Sequence, residues 1–420
     1  MTLNMTKAKP TSRRKQKLVL PLTGVRVADF SWLLAGPLAT RYLASLGAEV
    51  IRLETRKRLD QLRNLGPFAD GVTGPNRSPH FNNMNYSKLS CTLDLTDPRA
   101  AALARRLVEV SDVVVQNFAA GVMERFGLGW EELRRERPDL IYVSGSGMGS
   151  TGPYKDYVAY GMTLHAFSGV TYTTGYPGGP PKPLSGTWAD PVTAHTMAYA
   201  ILAALHYRRR TGQGQHIDLA MSEAMLAITP EPVLECSITG RTLERRGNFE
   251  ELMVPHNTYR CQGDDAWVAI AVGSEADWRA LCRAAGHPEW ATDPRFADAY
   301  ARRANETEMD QLIASWTAEH TPEEVARTLQ RAGVAAYPCL PTIGVIQDPQ
   351  LKARGFLVPL EHPEVGTRPV FGQPWYMSGV KEPCYRHAPL IGQHTAYALQ
   401  EVLGLPPDEV RRLAEEKVTY

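Results

Sequence analysis

The stretch 20-LPLTGVRVADFSWLLAGPLATRYLASLGAEVIRLE-54 decides the fold. Residues 24–30 (GVRVADF) read as a buried strand. Residues 37–46 carry apolar side chains at helical spacing and stop at Gly47, and residues 48–54 (AEVIRLE) read as a second strand. Strand, helix and strand in such close succession make a βαβ unit, whose two strands run parallel. The rhythm continues outward. Residues 88–95 (KLSCTLDL) are a third strand. Asp97-Pro98 opens a helix to about Val110, with Asp at the N-cap and Pro at the first helical position. Residues 112–118 (DVVVQNF) are a strand, 121–136 are helical and 140–146 are a strand. A long helix over 191–210 gathers Arg208, Arg209 and Arg210 in its last turn, where positive charge suits the helix dipole. Thr211-Gly212-Gln213-Gly214 stops it, and 215–221 form another strand. The fold class expected is α/β with a mostly parallel sheet.

The text changes character near residue 230. A strand at 267–272 is followed by helices at 274–285, 306–318 and 322–332 and a strand at 334–340, the pattern of a smaller, more helical α+β unit. From 342 the chain is rich in proline and reads as loop-rich. The organisation expected is a large domain starting at 20–225, a linker at 226–246, a small domain at 247–335, and a linker with the rest of the large domain at 336–420. Residues 1–19 are basic (Lys7, Lys9, Arg13, Arg14, Lys15, Lys17) with no apolar signal-peptide core behind them, and are expected to be a flexible solvated tail.

Composition narrows the function. The chain has 420 residues, 43% apolar and 22% charged, enough to bury a large core. Lys and Arg number 46 against 45 Asp and Glu, a balance that asks for neither nucleic acid nor an anionic membrane surface. No apolar run reaches the ~18–20 residues of a membrane span. The six cysteines are scattered without CxxC spacing, which suits free thiols in a reducing compartment; a cytoplasmic location is expected. There is no GxxxxGK[ST] phosphate loop and no HExxH. The first strand-to-helix turn, Leu34-Ala35-Gly36-Pro37, is not GxGxxG, and Gly145-Ser146-Gly147-Met148-Gly149 fits neither that fingerprint nor a nucleophile elbow. Motifs alone leave an unassigned α/β enzyme.

Six segments in order say more: 20–54 as quoted; NYSKLSCTLDL at 85–95; DVVVQNFAAGVMERFGLGWEEL at 112–133; LIYVSGSGMGSTGPY at 140–154; ADPVTAHTMAYAILAALHYRRRTGQGQHIDLAMSEAM at 189–225; and DPQLKARGF at 348–356 with EHPEVG at 361–366. Together they resemble the family III CoA-transferases, the group of formyl-CoA transferase and carnitine CoA-transferase. The resemblance implies a Rossmann-like large domain built from both chain ends, an inserted smaller domain, and two interlocked subunits. Coenzyme A, as acyl-CoA, is the implied substrate, with no permanently bound cofactor and no metal.

The resemblance also implies residues. The catalytic aspartate matches Asp190, in Thr187-Trp188-Ala189-Asp190. Its carboxylate would attack an acyl-CoA carbonyl, form a mixed anhydride and then an aspartyl-CoA thioester, and pass CoA to an acceptor acid. Helix capping is the structural alternative, because Asp-Pro also opens elements at Asp97, Asp293 and Asp348. Leu33, Leu34 and Ala35 match the first-turn backbone at the nucleotide end of CoA. Lys88 and Arg125 match phosphate-contacting cations, and Asn117 and Phe118 flank pantetheine and adenine. An arginine of the family falls on Thr55, with Arg56 next door as its substitute. A lysine found in some members is Ser146, and the glycine run of formyl-CoA transferase is reduced to Arg246-Gly247-Asn248, which disfavours formate and oxalate.

Overall likeness suggests succinyl-CoA as donor and a dicarboxylate such as malate or citramalate as acceptor, with benzylsuccinate as a further candidate. Tyr160, His165, Tyr172 and Trp188 are candidate pocket residues. Two rival functions remain. A racemase of the same fold needs a His-Asp pair, at positions held here by Tyr160 and Gly161. A non-catalytic CoA-binding subunit of a mixed oligomer is the other. A homodimer or such a mixed oligomer is expected.

Overall fold

The computed structural model describes residues 20–380 and 382–420; the basic tail at 1–19 lies outside the described residues. The chain alternates β1 (Arg26–Asp29), α1 (Ala35–Ser45), β2 (Glu49–Glu54), α2 (Pro79–Asn85), β3 (Leu89–Thr92), α3 (Pro98–Glu109), β4 (Val113–Gln116), α4 (Trp130–Glu136) and β5 (Ile141–Ser146). There follow α5 (Gly161–Phe167), α6 (Val170–Thr173), α7 (Ala189–Thr211), β6 (Gln215–Ala220) and α8 (Met221–Ile228). The six strands form one parallel sheet in the order β3-β2-β1-β4-β5-β6. The order reverses between β1 and β4. In an open α/β sheet that reversal leaves a crevice at the carboxyl ends of the two strands, where ligands bind.

Strand alternation builds a core on each face. Ala28, Ile51 and Val114 point to one, with α3. Val27, Val50, Val113 and Val115 point to the other, with α1 and α7. Helix starts follow local chemistry. Asp97 caps α3 by accepting the Arg99 N–H at 2.9 Å. Gly212 ends α7 at φ 74° with its N–H on the Arg208 carbonyl.

Contacts divide the chain into two compact units. One comprises the chain up to Ser168, Ser185–Pro230 and Gly355–Tyr420; the other comprises Gly169–Leu184 and Glu231–Arg354. The second unit continues with α9 (Glu231–Thr239), β7 (His256–Arg260), β8 (Trp267–Ala271), α10 (Glu275–Ala284), α11 (Ala299–Ala304), α12 (Glu306–Thr317), α13 (Pro322–Arg331), β9 (Ala335–Pro338), α14 (Thr342–Gln347) and α15 (Pro349–Ala353). Its sheet, β7-β8-β9, is antiparallel and packs one face on a core around Trp278 and Ile313. The chain then returns to the first unit with the hairpin β10 (Leu357–His362) and β11 (Gly366–Phe371) and the closing helix α16 (Pro407–Glu415).

One sequence reading needs correction. The helix expected over 121–136 is broken. Gly127 sits at φ 67° and the Leu128 N–H bonds the Met123 carbonyl, so a short 3₁₀ turn at Glu124–Phe126 ends before α4 begins. The tail from 342 is loop-rich as expected, with no helix or strand over 372–394 among the described residues, but it also carries regular elements. Its prolines start or edge elements, with Pro349 and Pro407 at helix N-termini and Pro359 and Pro369 facing each other in the hairpin.

Candidate active site

Residues after β1 build the first wall of the crevice. Asp29 ends the strand fully buried. It accepts the Ser31 N–H at 3.0 Å, the Ser31 and Thr40 hydroxyls, and the Lys88 ammonium at 3.1 Å. Burial opposes its charge, but Lys88 and Arg52 hold its pKa below the usual carboxylate value. The Asn117 side chain, just past β4, clasps the next peptide from both sides. Its Oδ1 accepts the Trp32 N–H at 2.7 Å and its Nδ2 donates to the Trp32 carbonyl at 2.8 Å. Leu33 then turns through φ 60°, a left-handed conformation that costs a side-chain-bearing residue energy. Asp60 secures it. The carboxylate accepts the Leu33 N–H at 3.1 Å and is itself paired with buried Arg52. Three residues later Gly36 packs so close to Ser31 that a Cβ would lie 2.3 Å from the serine Cβ.

The result is an open helix end. No side chain caps α1 at Leu34, so its first N–H groups are free for another acceptor. The Asp190 carboxylate lies close enough to feel them. The N–H of Ala35 and the N–H of Asp190 itself both face the Asp190 carboxylate and pull its pKa down; burial is the larger influence and pushes it up to about 6. Among the described residues no ion pair joins it. Asp190 therefore differs from the capping aspartates. Asp97, Asp293 and Asp348 each accept a backbone N–H two residues on, whereas α7 has Trp188 at its N-cap and no side-chain cap, with Asp190 inside the first turn. The carboxylate is half-buried, flanked by two helix N-termini, and has no cation to lower its basicity. At pH 7 a carboxyl of pKa 6 is roughly nine-tenths ionised and more basic than an ordinary aspartate, a combination that favours nucleophilic attack.

Helix α5 closes the other side. Its first residue, Gly161, lies against the carboxylate: a Cβ there would come 2.8 Å from Asp190 Oδ2 and 2.9 Å from Thr187 Cβ. One turn on, His165 is fully buried with Nε2 on the Ala189 N–H at 3.1 Å. Neither residue offers a base to a substrate. Tyr160 and Trp188 are exposed beside this corner; Tyr172 belongs to the second unit.

The structure brings Leu33, Leu34, Ala35, Asn117, Phe118 and Asp190 together around the crevice. Phe118 meets the Trp32 ring edge-on at 5.8 Å between centroids and also packs on the core. Arg56 is exposed, with no hydrogen bond or ion pair among the described residues. Arg58, which the sequence reading passed over, sits over the Trp32 ring at 5.3 Å. Arg125 is exposed at the edge of a separate cavity of about 600 Å³, lined also by Thr96, Pro98 and Arg105.

Lys88 requires correction. It is 2% exposed, and its ammonium donates to Asp29, to the Pro37 carbonyl at 2.8 Å and to Asn85 at 2.9 Å. All three donors are used, so none is left for a phosphate. Burial lowers its pKa to about 8 against the pull of Asp29. Asp60 and Gly161 were not legible as site residues. Neither belongs to a motif: Asp60 acts through the Leu33 and Leu62 N–H groups and Arg52, and Gly161 by leaving room for the Asp190 carboxylate.

The sequence and the fold are similar to those of known proteins. The model of CoA-transferase family III matches residues 22–395. The chain is 34% identical to succinyl-CoA--D-citramalate CoA-transferase of Chloroflexus aurantiacus over 95% of this chain and 98% of that one. It is 32% identical to the beta subunit of succinyl-CoA--L-malate CoA-transferase of the same organism, over 95% and 98%. A crystal structure of a CaiB/BaiF family protein from Brucella suis superimposes with a TM-score of 0.82 at 31% identity, covering 91% of this chain and 99% of that one. The chain belongs to CoA-transferase family III. It is an enzyme whose substrates are CoA thioesters and carboxylic acids.

Proposed function

We propose that the enzyme moves CoA from succinyl-CoA to a dicarboxylic acid of the malate or citramalate kind, with Asp190 as nucleophile. An Asp190 oxygen attacks the thioester carbon; the C–S bond breaks, giving a mixed anhydride and CoA thiolate. The thiolate attacks the aspartyl Cγ and the donor acid leaves, so Asp190 carries CoA as a thioester. The acceptor carboxylate attacks the same carbon and releases thiolate. Attack of that thiolate on the acceptor's carbonyl frees Asp190 and the new acyl-CoA. The observation that carries this reading is the Asp190 carboxylate, uncapped and unpaired, facing the N–H groups of Ala35 and Asp190. The Ala35 N–H suits a developing oxyanion, while the Asp190 N–H is held by the Thr187 carbonyl at 3.0 Å.

The wall formed by Leu33, Leu34, Ala35, Asn117 and Phe118 takes the pantetheine and nucleotide, with Arg56 or Arg58 and Arg125 toward phosphates. Succinyl-CoA and a C4–C5 diacid are favoured by the names of the citramalate and malate relatives. A racemase is disfavoured because Gly161 offers no base and His165 is buried with Nε2 occupied. The working form proposed is an interlocked homodimer of large and inserted small domains, in the cytoplasm. Helices α9 and α14 support a second copy: neither has a buried residue, yet they expose Val233, Leu234 and Ile238, and Ile343, Val345 and Ile346. Among the described residues no helix is long and apolar enough to cross a membrane. The test is a donor–acceptor panel with the purified chain alone, with Asp190→Ala beside it. Loss of transfer in the variant supports the mechanism; unchanged transfer discards it.

A further inference from the structure

Helix α5 touches the start of α7 twice, one helical turn apart. Gly161 abuts the Asp190 carboxylate, and four residues on His165 accepts the N–H of the preceding residue, Ala189. The histidine is fully buried. An imidazole that accepts at Nε2 and is neutral must carry its proton on Nδ1, and that buried Nδ1 has no partner among the described residues. A buried donor left unpaired is costly, so packing alone would favour an apolar residue.

From this geometry we infer that His165 is a positioning residue for Asp190, a neutral Nδ1–H imidazole whose Nε2 pins the Ala189 N–H and so fixes where the first turn of α7 presents its carboxylate. The inference rests on the reading of Asp190 as nucleophile. Without the acceptor, the Ala189 N–H is left buried and seeks another oxygen. The nearest peptide to its carboxylate then moves, and Asp190 leaves the arc of the Ala35 N–H. Burial, which lowers the imidazole pKa, keeps the ring neutral and accepting. Glutamine is the conservative replacement: its Oε1 reaches as far as Nε2 and accepts the same N–H. Leucine fills the space and accepts nothing.

The experiment compares His165→Gln, His165→Leu and Asp190→Asn with the wild type for kcat, KM for succinyl-CoA, and the rate of hydroxylamine trapping at residue 190. His165→Leu is expected to lose about 30-fold or more in kcat and in trapping rate, with KM within about threefold, because misplacement by ~1 Å costs about 10²-fold. His165→Gln should recover most of both. Leu activity equal to wild type, or Gln no better than Leu, overturns the inference while Asp190 stays essential. Full activity in Asp190→Asn instead overturns the parent reading. If His165→Leu does not fold, ¹⁵N-histidine spectra of the wild type, with His165→Gln to assign the signal, decide the matter. A neutral Nδ1–H ring at pH 6–8 supports the role, and a cation or an Nε2–H ring contradicts it.

Discussion

The backbone N–H of Ala35 faces the carboxylate of Asp190. Residues that follow the first strand and residues that open the long helix, far apart in the chain, thus converge on one side chain. The convergence depends on Leu33 holding a left-handed turn, which Asp60 secures. Asn117 and Gly36 fix the peptides on either side.

Asp190 should impose an acid limb on the rate. The attacking form is the carboxylate and its pKa is about 6, so kcat/KM should rise with pH through 6 and level off above 7. Stability should respond in the opposite direction. A carboxyl whose folded pKa lies above its unfolded value of about 4 favours the fold when protonated, and that contribution fades as pH rises through 6. Asp190→Asn should therefore stabilise the protein at pH 8 by something on the order of 2 kcal/mol and have little effect at pH 4. Chemical denaturation at the two pH values reads this difference.

Gly161→Ala should abolish most activity in a folded protein. The added methyl would sit 2.8 Å from Asp190 Oδ2, and backbone and carboxylate cannot both stay in place. A fall in kcat of about 10²-fold is expected, in line with the cost of ~1 Å misplacement. Steady-state kinetics together with thermal melting would show it.

Lys88 and Arg125 should separate cleanly. Lys88→Met leaves Asp29 charged and buried without its cation, a loss of about 3–5 kcal/mol in folding stability. Arg125→Ala removes an exposed charge at a cavity edge and should leave the melting temperature within error. The KM for succinyl-CoA should rise several-fold in the arginine variant. Melting curves and KM values measured side by side test the pair.

Asn117→Ala should weaken both folding and CoA binding. It removes an acceptor and a donor from the Trp32 peptide, each worth about 1 kcal/mol. Restoring the carbonyl acceptor alone with Asn117→Asp should recover only part of the loss, because Asp cannot donate to the Trp32 carbonyl. Isothermal titration with CoA measures the binding share.

The parallel sheet was legible because its central strands are short apolar runs set off by helices and turn residues. Asp190 was legible as a position but not as a chemical environment. Its resemblance to the three Asp-Pro caps is local, and only the packing of α1, α5 and α7 separates it from them. Lys88 was misread because a lysine in a strand-opening position looks solvated until Asp29, Pro37 and Asn85 close over it. Asp60 left no trace because it belongs to no spacing pattern, and Gly161 stood out only as a position where a racemase base is missing, because its contact with Asp190 forms only in the fold. The helix expected at 121–136 failed at a single glycine, Gly127, whose left-handed φ stops the turn that apolar periodicity carries through.

The most direct measurement is to incubate the enzyme with succinyl-CoA, quench it, and map the modified peptide by mass spectrometry. The account predicts CoA joined as a thioester to the peptide containing Trp188-Ala189-Asp190, on Asp190, and its loss when an acceptor diacid is added. Full turnover with CoA attached at another residue, or with no covalent adduct at any time, would contradict it.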